Sequence, residues 1–249
     1  MSNFWDQRVG AYGHTSWSNR GTYLFEYFLK KRILKTFIGS LQKKVNCLDF
    51  GCGVGDYSFI ASNYFKNVDA FDSSAAVLKV ARVSNSAKNI TYMESKTSYL
   101  KSNFYDCILA VSVLQHLDIV ELTYTLKQFS LVLSEGGKIF VINTFSNDFF
   151  LDNSYTTFYD LDLFAKLCSA NNLDLDYVES FWHPDFSKSL VWIIYRFTPF
   201  IYLTRFTGRL QAEPILRLLK FYALFCSFFV RERVVDYSPQ KIVILTKRK

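Results

Sequence analysis

Leu48-Asp49-Phe50-Gly51-Cys52-Gly53-Val54-Gly55 is the stretch on which the fold turns. Its three glycines alternate along the chain, directly after the apolar run 45–50 and directly before a helical pattern over 56–65. A glycine-rich turn at that place lets backbone N–H groups approach a ligand closely at a helix N-terminus. Asp49, two residues ahead of Gly51, narrows what the ligand can be. A carboxylate beside the loop repels a pyrophosphate but suits a molecule carrying ammonium and sulfonium charges. The dinucleotide pattern G-x-G-x-x-G is also not met, because Asp56 stands where its third glycine should be.

Outward from this turn, strand and helix patterns alternate. Apolar residues recur at helical spacing over 21–41, with Gly39-Ser40 as a stop. Strands are expected at 45–50, 67–71, 90–93, 105–111 and 138–143. Helices are expected at 56–65, 74–83 and 119–133, the last closed by Glu135-Gly136-Gly137. A helix at 161–170, a strand at 173–180 and a final strand at 241–246 complete the series. Such alternation implies βαβ units and a mainly parallel sheet. Residues 1–19 are polar and aromatic without periodicity.

At this point four motifs, in order over residues 45–145, resemble the class I S-adenosylmethionine-dependent methyltransferase family. The first is the glycine stretch itself. Val68-Asp69-Ala70-Phe71-Asp72-Ser73-Ser74 resembles the second, and residues 104–117 and 133–139 resemble the segments around the fourth and fifth strands. The resemblance implies an α/β, Rossmann-like fold: a seven-stranded, mostly parallel sheet with helices on both faces, an N-terminal lid and a helical insertion before the last strand. It implies residues 1–44 as arm and lid, and residues 45–249 as the methyltransferase domain. It implies S-adenosylmethionine as cofactor, held by Asp49, Gly51, Gly53, Asp72 (on the ribose hydroxyls) and Ser73, with Ala110 and Ser112 beside it at the end of the fourth strand. The family usually has an acid after the third strand for the adenine amino group. The corresponding stretch here is Met93-Glu94-Ser95-Lys96-Thr97-Ser98, whose match to that acid is left open, with Ser95 or a neighbouring backbone amide as the candidate for the role.

The segment 4–17 resembles the lid of bacterial small-molecule and glycan methyltransferases, which places Tyr12 or Arg8 near the cofactor's carboxylate. His116 and His14 are the candidate general bases, since imidazole can take a proton near neutrality. Each also has a plain reading, His116 as a packing or capping residue and His14 as part of a docked arm. No clustered ligands point to a metal.

Composition bears on the acceptor. Residues 181–249 carry twelve Lys and Arg against four acids, so the net charge of +7 belongs to the C-terminal quarter. Within it, 188–233 holds two apolar-aromatic segments, 189–207 and 214–231, each interrupted by basic residues and neither long enough to span a membrane. The first reading is a cap over a small, anionic metabolite or surface-glycan precursor, as in polysaccharide biosynthesis. The second is peripheral contact with the membrane's inner face, for a quinone, lipid or polyprenyl-linked acceptor. The third is a non-catalytic protein that keeps the fold and forms a homodimer through 188–233. Nucleic acid is not an expected partner, because the basic residues are interleaved with Leu, Ile and Phe and offer no aromatic platform. Five scattered cysteines without a C-x-x-C pair, and a start lacking a signal-peptide pattern, point to the cytoplasm.

Overall fold

The computed structural model describes residues 2–16, 20–95, 101–146, 157, 159–180 and 240–248. The insertion 188–233, with its expected cap, membrane or dimer role, lies outside the described residues, as do Trp17 and Cys226. Helices α1 (Ser2–Tyr12) and α2 (Arg20–Ser40) precede β1 (Asn46–Phe50), α3 (Asp56–Ala61), β2 (Asn67–Phe71), α4 (Ala75–Ser84) and β3 (Ile90–Met93). Then come β4 (Tyr105–Val111), a 3₁₀ turn at Leu114–His116, α5 (Ile119–Val132), β5 (Leu133–Thr144), α6 (Leu161–Ala170), β6 (Leu173–Ser180) and β7 (Gln240–Lys247). The strands form one seven-stranded sheet in the order β3-β2-β1-β4-β5-β7-β6. The pairs β1–β2, β1–β4, β2–β3 and β4–β5 are parallel, and β7 runs antiparallel to both its neighbours. This is the expected Rossmann-like architecture.

Both faces of the sheet are covered, so its central strands are largely apolar and do not alternate with polar residues. Leu48, Phe50, Ile108, Ala110, Ile139 and Val141 pack with Leu122, Leu126 and Phe129 of α5. The alternate positions Cys47, Cys107, Leu109, Phe140 and Ile142 pack with Leu34, Phe37 and Ile38 of α2 and Ile60 of α3. By the two-residue period of the strand, Asp49 belongs to this second face. That places a carboxylate in an apolar layer, directly under the glycine turn.

Three local expectations are corrected. Residues 2–12 are helical, although their pattern is weak. Val9 packs with Val54 and Val77, and Trp5 lies against the same group. Gly13, at φ 74°, ends this helix, its N–H donating to Val9 O at 2.8 Å. Helix α3 stops at Ala61 because the Ser62 and Asn63 side chains both donate to Phe59 O and so compete with helical backbone bonds. Helix α5 stops at Val132, and β5 begins at once. Leu133 pairs with Tyr105 and Lys138 with Cys107, so the expected Gly136-Gly137 turn is a bulge inside the strand, with Gly136 at φ 72°.

Candidate functional site

Strand order reverses between β1 and β4, the place where an open parallel sheet leaves a crevice at its C-terminal edge. The glycine turn lies there. Gly51, Gly53 and Gly55 have φ of 70°, 55° and 85°, conformations a side chain resists. Cys52 N–H donates to Phe71 O at 2.8 Å, tying the turn to the end of β2. Gly53 N–H donates to Asp72 Oδ2 at 3.0 Å, and Ser74 N–H to Asp72 Oδ1 at 3.0 Å. Asp72 is therefore the brace of the turn. The N-cap of α4 is Ser74, whose hydroxyl accepts from Val77 N–H.

Three other elements close on the turn. A Cβ on Gly51 would lie 2.2 Å from Val113 Cγ2, and one on Gly55 would lie 2.2 Å from the Tyr92 hydroxyl. One on Gly53 would lie 2.8 Å from Thr15 Oγ1, so the chain after α1 passes over the middle of the turn. Gly51→Ala is expected to destabilise the protein by about 2–4 kcal/mol, combining left-handed strain with overpacking against Val113. Urea denaturation checks this, and a midpoint equal to wild type would mean that Val113 does not hold the turn.

The electrostatics are unusual for a buried region. Asp49 is enclosed and accepts a hydrogen bond from Ser58 Oγ. Burial pushes its carboxyl up to about 7 against the Ser58 bond, and the Asp72 and Asp56 charges add to the rise. Asp72 is also raised, by burial first and by Asp6, while the amides of Ser74 and Gly53 oppose. Asp6 of α1 accepts the Ser74 hydroxyl, so the N-terminal helix brings a further acid to the turn. Such a concentration of negative charge in a dry place fits a cationic ligand and disfavours a phosphate. Asp72 keeps lone pairs beyond those used by Gly53 and Ser74, enough to accept a ligand's hydroxyls.

The remaining expected site residues are distributed around this centre. Ser73 is exposed next to Asp72, and Ser95 is exposed just past β3. Ala110 is wholly buried among α5-facing side chains, which leaves only its backbone toward a ligand. Arg8 Nε donates to Ser16 O at 2.7 Å, and its guanidinium lies over the Phe4 and Tyr12 rings, bracing the 13–16 turn from behind. Tyr12, at the end of α1, is exposed. His116 meets Trp5 edge-on at 4.9 Å, and His14 is buried and stacked on Tyr23 at 4.0 Å. Both histidines thus touch the N-terminal segment. Among the described residues, no group of His, Cys, Asp or Glu is arranged to hold a metal ion.

One feature went unread in the sequence. The first half of α2 turns polar residues inward: Glu26 is 4% exposed and Lys30 5%. Lys30 Nζ pairs with Glu26 Oε2 at 2.8 Å and donates to Ser112 Oγ at 3.0 Å. Ser112 follows β4 with φ 54°, a strained value for a residue with a side chain. Tyr23 donates to Asp56, beside the glycine turn. The rings of Tyr23 and Tyr27 are 6.2 Å apart, and those of Tyr27 and Tyr57 6.1 Å. The signal was present as Tyr23, Glu26, Tyr27 and Lys30 at i, i+3, i+4 and i+7, a polar stripe on one helix face.

The methyltransferase domain family matches residues 20–176, more than half of the chain. No curated protein matches it in sequence. A SAM-dependent methyltransferase from Leishmania major is 17% identical, with a TM-score of 0.58 over 66% of this chain and 69% of that one. Phosphoethanolamine N-methyltransferase 2 of Haemonchus contortus, solved with phosphomonomethylethanolamine and S-adenosylhomocysteine, is also 17% identical, with a TM-score of 0.64. It covers all of this chain, which spans 60% of its length. At these identities the likeness is one of fold.

Proposed function

The chain belongs to the methyltransferase domain family, and on that premise we propose that it methylates a small acceptor bearing an anionic group, a metabolite or surface-glycan precursor, using S-adenosylmethionine. The observation that carries the reading is the triple-glycine turn at the β1–β4 crevice, braced by Asp72 and covered by Thr15. S-adenosylmethionine supplies an electrophilic methyl group on a sulfonium. This chain's contribution is position, charge and exclusion of water. Asp72 would accept the ribose hydroxyls, and the glycine turn would admit the ligand's backbone-close portion. The buried negative charge of Asp49 and Asp72 would favour the cationic groups. The segment 13–16 and α1 would keep the site dry, with His14 or His116 taking a proton from the acceptor.

The anionic character of the acceptor rests on the basic C-terminal quarter, including 188–233. Supporting a cytoplasmic location, the four cysteines among the described residues are free and buried, and two of them, Cys47 and Cys107, sit in register on adjacent strands.

Asp72→Ala is expected to weaken binding of S-adenosylhomocysteine by roughly 1.5–3 kcal/mol, the scale of hydrogen bonds to a charged group. Titration calorimetry measures it, and unchanged affinity would place Asp72 outside the ligand's reach. Asp72→Asn, which keeps an acceptor for Gly53 N–H, separates loss of ligand contact from collapse of the turn. Wild-type protein that binds no S-adenosylhomocysteine at all would sink the methyltransferase reading.

A further inference from the structure

The inward polar stripe of α2 has no structural necessity. Replacing a buried ion pair by apolar residues of similar volume is commonly neutral or stabilising, so Glu26 and Lys30 are an expensive way to fill a helix face. Their arrangement is also incomplete. Glu26 Oε2 has the Lys30 ammonium, but Oε1 is buried and has no hydrogen-bond partner among the described residues. A buried carboxylate oxygen without a donor is uncommon in a folded protein and asks for an absent one. The surroundings are aromatic and electronegative. Tyr23, Tyr27 and Tyr57 form a row of rings, with His14 stacked on Tyr23 from above.

Resting on the methyltransferase reading, we propose that Glu26 and this tyrosine row are the subsite for the ammonium end of an amine acceptor, with Glu26 Oε1 receiving an N–H. Lys30 pairs with Glu26, Asp56 is a further acid at the end of the row, and the rings already draw a cation, since Lys31 Nζ lies 5.5 Å over the Tyr27 ring. The tyrosine hydroxyls register that field. Tyr57 is pushed up by burial and then by Asp56 and Glu26, and Tyr27 by burial and then by Asp56. A neutral hydroxyl acceptor would satisfy Oε1 but gain nothing from the field.

The stripe also lies in the right place for the reaction. Its upper end meets Asp56, directly after the glycine turn, and its lower end meets Ser112, next to Val113, which sits on Gly51. An ammonium held there is beside the cofactor turn, and the imidazole of His14, stacked on Tyr23, takes the proton that the nitrogen must shed. The ammonium N–H bond breaks, a new N–H bond forms on the imidazole, and the electron pair stays on the acceptor nitrogen. His14 closes the row, so entry requires movement of residues 13–16. Gly13, at φ 74°, is the break in the chain that permits it.

Ethanolamine is the test probe, with ethylene glycol as its neutral counterpart, each titrated by NMR into protein saturated with S-adenosylhomocysteine. Ethanolamine is expected to bind and ethylene glycol to bind far more weakly. Glu26→Gln, which keeps an acceptor for Lys30, is expected to weaken ethanolamine by about tenfold to hundredfold, the equivalent of a hydrogen bond to a charged group. Tyr27→Leu serves as a second variant that spares the ion pair, and it should also weaken the probe. Equal binding of the two probes, or ethanolamine binding unaffected by both variants, overturns the subsite. Absence of S-adenosylhomocysteine binding in the wild type is a different failure and strikes the methyltransferase reading instead.

Discussion

Asp49→Asn is expected to stabilise the folded protein, by up to about 4 kcal/mol above pH 7 and by little near pH 4. The sign follows from where the proton sits. In the unfolded chain Asp49 ionises around its ordinary value of 3.8, whereas burial lifts it to about 7 in the folded protein. Between those values the native state holds a proton that the unfolded state has released. Rising pH therefore favours unfolding across that window, and above it the cost of a buried, ionised Asp49 is fully present. Asparagine never ionises and still accepts from Ser58 Oγ, so the variant escapes the cost. Urea denaturation at pH 5 and pH 8 measures the difference. A gain of the same size at both values would show that charge is not its origin. The same carboxylate should help the sulfonium cofactor. Affinity for S-adenosylmethionine should rise as pH passes through about 7 in the wild type, and this rise should be lost in the variant.

Lys30→Met is expected to destabilise the protein by about 3–5 kcal/mol, the usual consequence of removing one partner from a buried ion pair. Methionine fills the space, so the loss arises from Glu26, left buried beside Asp56 and the tyrosine row without its cation. Ser112 loses its donor as well, at a φ of 54° that only its surroundings maintain. The double variant Glu26→Leu/Lys30→Met should recover most of the stability, because no charge is then stranded. Chemical denaturation of the wild type, the single variants Glu26→Leu and Lys30→Met, and the double variant forms a complete cycle. A Lys30→Met protein as stable as wild type would mean that the pair is solvated and does not define a site.

The sheet was legible because its strands are short apolar runs separated by glycine turns and acids at strand ends. Gly51, Gly53 and Asp72 could be placed for the same reason: a positive φ and an acid at a strand end are demands on single residues. The parts that escaped are cooperative. Helix α1 has one apolar pair, Trp5 and Val9, and becomes a helix on the docking surface of Val54 and Val77. Ser58 under Asp49, and Thr15 over Gly53, are contacts between segments that no periodicity links. Glu26 and Lys30 have the i, i+4 spacing common on helix surfaces, and only the packing of α2 on the sheet reveals that they are buried. The proposal of an anionic acceptor rests on a segment outside the described residues and is legible only as charge.

The position of β7 has a consequence for how the chain is made. Among the described residues this strand is the last in sequence, yet it lies between β5 and β6, and β6 has its ladder with β7 alone. A nascent chain emerging from the ribosome can assemble β1 to β5, but β6 has no seat until residues 240–247 appear. Until then the open flank of β5 is a template for any strand that passes, including one from another nascent chain. Translation past residue 240 is thus the step that commits the molecule, and premature termination before it should produce aggregate in place of a smaller soluble enzyme.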